Sequence, residues 1–155
     1  MASDISIRDD IYNNIVTSLQ EITTANGYLT EPQYIEDDKF DLPQNLPTSS
    51  FPALVVIDTD EAKTQEPAKE TQCRLQFLIG GYVRAIEGGD NAKTQLRKLL
   101  VDVEKALTVD PRRGYHAIHT AIDDVKTDKG MLAPYAIFDM TVTVIYSYQY
   151  GDPQN

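Results

Sequence analysis

The chain has 155 residues, a length most simply filled by one domain spanning 1–155, and its 41% hydrophobic content supports a packed core and excludes global disorder. With 24 Asp and Glu against 14 Lys and Arg the net charge is −10. Such a surface disfavours tight binding to phosphate backbones, although nucleic acid could still pass alongside it without sticking. Cys73 is the single cysteine, which excludes an intrachain disulfide and a thiolate zinc site. The opening "MASDISIRDD" has neither the positive region nor the apolar run of a signal peptide. No stretch reaches the roughly 20 apolar residues of a membrane span. These features predict a protein that folds in a reducing cytoplasm or works in an assembly built there, with no membrane partner.

In chain order, Ile7, Ile11, Ile15, Leu19 and Ile22 form a helical stripe, with Ser6 as cap and Asp9–Asp10 in the first turn, so a helix is predicted over 7–24 and ended by Asn26-Gly27. Tyr28–Leu29 and Tyr34–Ile35 are candidate edge-strand pieces interrupted by Pro32, and Pro43 and Pro47 mark irregular chain. "FPALVVI" gives a central strand over 53–57. The polar stretch from Asp58 to Gln72 predicts a mobile solvated loop, because ordering it costs about 1–2 kcal/mol per residue without apolar burial to offset it. "CRLQFLIGGYVRAI" alternates as a strand, with a bulge or bend expected at Gly80-Gly81. Asp90 is placed to cap a second helix with the stripe Ala92, Leu96, Leu99, Leu100, Val103 and Leu107, stopped by Pro111 and Gly114. "YHAIHTAIDDVKT" and "FDMTVTVIYSYQY" read as two closing strands joined by a turn at 128–130. The order predicts an α+β fold: a mainly antiparallel sheet with two main helices packed on one face.

No catalytic constellation emerges. His116 and His119 are three apart on a predicted strand, where they point to opposite faces, and the neighbouring Asp123-Asp124 pair diverges likewise. Cys73 sits in apolar alternation with Leu75 and Phe77, as a buried structural thiol does. "GGDNAKTQLRK" lacks the spacing of a phosphate loop. These residues assign no metal, no cofactor and no enzymatic activity.

Several stretches along the chain together resemble one family: the helix "SIRDDIYNNIVTSLQEI" followed by "NGY", then "FPALVVI", "LQFLIGGYVRA", "AKTQLRKLLVDVEKALTVD" and the terminal "FDMTVTVIYSY". The pattern is similar to the tail terminator, or tail completion, proteins of tailed bacteriophages. The resemblance implies a structural virion protein. Such a protein forms a hexameric ring at the head-proximal end of the tail tube, ends tube polymerisation and docks the neck or connector in head–tail joining. It implies a homo-oligomer with tube and neck proteins as partners, DNA crossing the lumen without specific binding, assembly in the bacterial host and a place at the tail–neck junction. Another phage neck or minor tail protein, or an unrelated cytoplasmic α+β enzyme or ligand binder, remains an alternative.

Two surfaces are candidates for contact. The closing strand of about 15 residues spans ~50 Å. A helix of about 18 residues covers ~27 Å. Tyr146, Tyr148 and Tyr150 are therefore expected to overhang their cover and meet a neighbouring subunit. The charged loop residues Asp60, Glu61, Lys63, Glu66 and Lys69 are expected to contact a partner in the assembly.

Overall fold

A computed structural model describes residues 6–37, 46–65, 69–85, 89 and 91–153. The elements are α1 (Ile7–Gln20), β1 (Tyr34–Asp37), β2 (Ala53–Thr64), β3 (Glu70–Arg84), α2 (Ala92–Thr108), β4 (His119–Thr127) and β5 (Tyr135–Gln149). The strands form one sheet in the order β1-β2-β3-β5-β4. Only the short β1–β2 pair is parallel; the other three are antiparallel. The α+β class with a mostly antiparallel sheet follows.

Local chemistry sets the helix limits. Ser6 caps α1, its hydroxyl accepting the Asp9 N–H at 3.2 Å, and Asp9 and Asp10 oppose the positive end of the helix. The helix stops at Gln20, earlier than its stripe suggests. Thr23 then caps a 3₁₀ turn at Thr24–Asn26, closed by Gly27 at φ +88°. α2 is capped by Asn91, which accepts the Thr94 N–H at 2.9 Å. The predicted cap, Asp90, lies outside the described residues.

The strands read differently from the sequence in two places. β2 does not stop at Ile57: it continues through the polar stretch to Thr64 and pairs with β3 up to Thr64↔Gln72. Most of the predicted 58–72 loop is therefore ladder, because an exposed two-stranded arm satisfies its backbone while its side chains stay in water. The expected bulge at Gly80-Gly81 is also absent, since both residues pair in unbroken register with Asp139 and Phe138. The bulge lies in β2, between Asp58 and Glu61. Gly81 has a packing role instead: a Cβ there would stand 2.1 Å from Cε1 of Phe138, whose ring lies over it.

Ile11, Ile15 and Leu19 of α1 share one buried cluster with Leu96, Leu99, Val103 and Leu107 of α2. The same cluster takes Phe77 and Ile79 from β3 and Phe138, Met140, Val142 and Val144 from β5. Those strand residues lie on a single face by cross-strand register. A smaller cluster of Ala53, Val55 and Tyr82 holds the opposite parity, under Leu46 and Phe51.

Leu99 is fully buried, whereas Leu100 is only partly covered. Leu99→Ala should cost about 2–5 kcal/mol in denaturant unfolding and Leu100→Ala distinctly less; equal losses would contradict this burial. Gly81→Ala should destabilise by about 1–3 kcal/mol through overpacking, with partial recovery when Phe138→Leu is added, and strictly additive losses would refute the contact.

Candidate functional site

The far end of the sheet, where β2, β3 and β5 run beyond the other strands, carries the densest polar network that the sequence reading touched. The β2 bulge creates it. Asp58 pairs with Phe77 and Glu61 with Leu75, so the extra residue places Glu61, and not Asp60, on the face shared with Val144 and Tyr146. Arg8, in the first turn of α1, reaches across to it: Nε donates to Oε2 at 3.0 Å and Nη2 to Oε1 at 3.2 Å. The Tyr146 hydroxyl donates to Glu61 Oε1. Beside it, Lys63 Nζ donates to the Tyr148 hydroxyl at 3.1 Å.

The electrostatics follow from this packing. Burial alone would raise the Glu61 carboxyl, but hydrogen bonds from Tyr146 and Arg8, and the charges of Arg8 and Lys63, hold it below its ordinary value. Burial first, and then donation to Glu61, push the Tyr146 phenol up, so it stays a donor. Burial likewise raises the Cys73 thiol, which suits a structural residue and not a nucleophile.

The expected overhang of three tyrosines is corrected for two of them. Tyr146 is 1% and Tyr148 6% exposed; their cover comes from their own subunit, with the Arg8 and Lys63 side chains spanning the gap beyond the apolar helix stripe. Tyr150 alone projects, at 51% exposure, its N–H bonded to the Lys69 carbonyl at 3.1 Å. Among the residues expected in a loop, Asp60, Glu61 and Lys63 belong to β2, and Lys69 immediately precedes β3. Glu66 lies outside the described residues.

The candidate metal ligands are not assembled. β4 begins at His119, and His116 lies in the preceding turn, with Nδ1 3.6 Å from Asp10 Oδ2. Asp123 takes the Thr143 hydroxyl, while Asp124 lies 4.0 Å from Lys126. Among the described residues no group of three His, Cys, Asp or Glu is placed to hold a metal ion. No helix among them is long and apolar enough to cross a membrane.

Two further buried ions were not singled out by the sequence reading. Asp102 on α2 accepts the N–H of Leu29 at 3.0 Å and of Thr30 at 2.7 Å, and the Thr30 hydroxyl, fixing the 28–31 segment. Arg113, fully buried, donates to the Leu107 and Asp110 carbonyls at the end of α2 and to Ser18 of α1 at 3.3 Å. Asp102 could have been found, since it breaks the polarity of the helix's buried side. Arg113 leaves no such signal.

The fold and these networks define a class: a small α+β subunit whose conspicuous polar groups bind its own elements together. The family assignment is more specific. The chain belongs to the Bacteriophage Tail Tube Terminator Protein family, whose profile matches residues 1–151. The protein is thus a phage tail component associated with the tail tube. No curated protein sequence matches the chain.

Because the Glu61 carboxyl titrates below its unfolded value, the stability it contributes is full above the ordinary carboxylate pKa. That contribution is lost as pH falls through the depressed value. Glu61→Gln should therefore lower the melting temperature near neutral pH, by the equivalent of about 1–2 kcal/mol, and converge on the wild type as the pH is taken down through the acid range. A gap that stays constant across that range would remove Glu61 as the titrating group.

Proposed function

We propose that this protein forms a six-membered ring that caps the head-proximal end of the phage tail tube. The ring stops tube polymerisation and presents a docking surface to the neck at the tail–neck junction, after assembly in the host cytoplasm. The carrying observation is the family match over residues 1–151, which includes every element of the fold. In this reading the whole chain acts as one domain without catalytic activity, with both helices packed on one face of the sheet. The cluster they share with a single strand parity supports that arrangement.

The other face suits a lumen that DNA crosses without sticking. Gln72, Arg74, Gln76, Thr141, Thr143 and Ser147 share it through their cross-strand pairing, together with Arg84, Lys126 and Asp139 and the apolar Leu78, Ile137 and Ile145. The chain's net charge of −10 disfavours tight binding of phosphate backbones as a whole. Tyr150 and the hairpin end at Lys69 remain the candidates of that end of the subunit for contact with a neighbour or a partner.

Electron microscopy of the purified protein, alone and with tail tubes, should show rings with a central hole seated at one tube end. Phage lacking the protein should produce tubes of uncontrolled length and unjoined heads. Tubes of normal length that join heads without it would overturn the assignment.

A further inference from the structure

Arg8, Lys63, Lys105 and Arg113 are each held by partners within the subunit. Lys93, Arg97 and Lys129 differ. None of them forms an ion pair with a described residue, yet all three line one hollow of about 210 Å³ between α2 and the turn that joins β4 to β5. Its floor is apolar, made by Leu96, Leu100 and Ala136. Among the described lining residues the one carboxylate, Asp128, is already engaged: its oxygens accept the N–H of Leu132 at 3.1 Å and of Ile137 at 3.3 Å. A second hollow of about 340 Å³ continues the first, sharing Lys93, Gly130 and Ala136 with it. Ala85, Ala133 and Pro134 make its walls mainly apolar, and Met131 stands beside it in the turn at 84% exposure.

Gathering these charges works against the stability of the free subunit. Lys93 lies in the first turn of α2, where the helix dipole is positive and no acidic residue offsets it. A Cβ on Gly130 would stand 3.0 Å from Cε of Lys93 and 3.4 Å from its Nζ, so the glycine makes room for the lysine along the turn. Its neighbour Lys129 holds a left-handed backbone at φ +58°, a costly conformation for a residue with a side chain. Cations brought together in this way, on a chain of net charge −10, suit an anion supplied from outside.

We propose that this trough binds an extended acidic–apolar segment of a partner protein. Apolar side chains of the segment occupy the half at Ala85, Ala133 and Pro134, and a glutamate occupies the half at Lys93, Arg97 and Lys129. The apolar floor decides between anions. A glutamate carries methylenes to lay on Leu96 and Leu100 while its carboxylate meets the cations, whereas a phosphate would set a fully hydrated group against them. The exposed cations fix orientation and choose the charge of the partner, and apolar burial in the second hollow supplies most of the affinity. The trough lies within one subunit, so this binding stands or falls separately from ring formation.

Fluorescence anisotropy of the full chain provides the test, with a labelled, amide-capped peptide of two leucines followed by two glutamates. The peptide should bind, more weakly as salt is raised, and its glutamine counterpart should bind about tenfold less tightly. Lys93→Gln combined with Arg97→Gln and Lys129→Gln should remove the preference for glutamate over glutamine. The same variant should melt at or above the wild type by circular dichroism, since the lost charges repel one another and one of them opposes the helix dipole. Equal binding of the two peptides by the wild type, or no binding at about 1 mM peptide, would overturn the site. So would an unchanged preference in the triple variant. A triple variant that melts well below the wild type would make the three cations structural and overturn their role as a site. Displacement of the labelled peptide by inorganic phosphate or duplex DNA, at concentrations where the unlabelled peptide fails to displace it, would assign the trough to phosphate groups and overturn the protein segment as its occupant.

Discussion

Fifteen consecutive cross-strand pairs between β3 and β5, from Glu70↔Gln149 to Arg84↔Tyr135, set the frame on which the other elements depend. The side-chain period of a strand is two, so a slip of β5 by one residue would send Phe138, Met140, Val142 and Val144 together to the face opposite Phe77 and Ile79. Gly81 reinforces the register from within: only a residue without a side chain accepts the Phe138 ring above it. With these strands fixed, β2 and β4 have one consistent way to add on either side, and the helices have one apolar surface to cover.

That frame is longer than its helical cover. α1 has 14 residues and α2 has 17, against 15-residue strands that rise more than twice as far per residue. The apolar stripe of the helices alone would leave the end of β5 at Tyr146 and Tyr148 partly uncovered. The fold covers them with long polar side chains: Arg8 and Glu61 over Tyr146, and Lys63 on Tyr148. The β2 bulge is what makes this closure possible, by exchanging Asp60 for the longer Glu61 at the required place. A local irregularity in an exposed arm therefore determines whether the end of the core is dry.

Much of this was legible in the sequence. Period gave both helices, the closing strand and the parity of its buried face, since Phe138 through Val144 alternate without exception. The family resemblance lay in the same pattern. The polar half of β2 was not legible, because its residues have no apolar alternation and are ordered by backbone pairing to β3. The burial of Tyr146 and Tyr148 was hidden for a related reason. Their cover comes from Arg8 and Lys63, which read as surface charges until the chain is folded. Helix length alone predicted where the stripe ends, not what replaces it.

The free edges of the sheet also limit how copies can join. Among the described residues the β1–β2 pairing ends at Val56, and beyond it β2 carries the bulge with Asp58, Asp60 and Lys63. β4, the other edge, carries its own irregularity between Ile122 and Asp124, with Asp123, Asp124 and Lys126 around it. Bulges and charges on an edge strand oppose further strand pairing, and setting β2 against β4 would bring acidic edges together. The described edges therefore disfavour joining copies by continuing the sheet. Contacts between side chains and surfaces would leave each subunit's fold complete before it meets a neighbour, which suits the proposed ring of folded monomers.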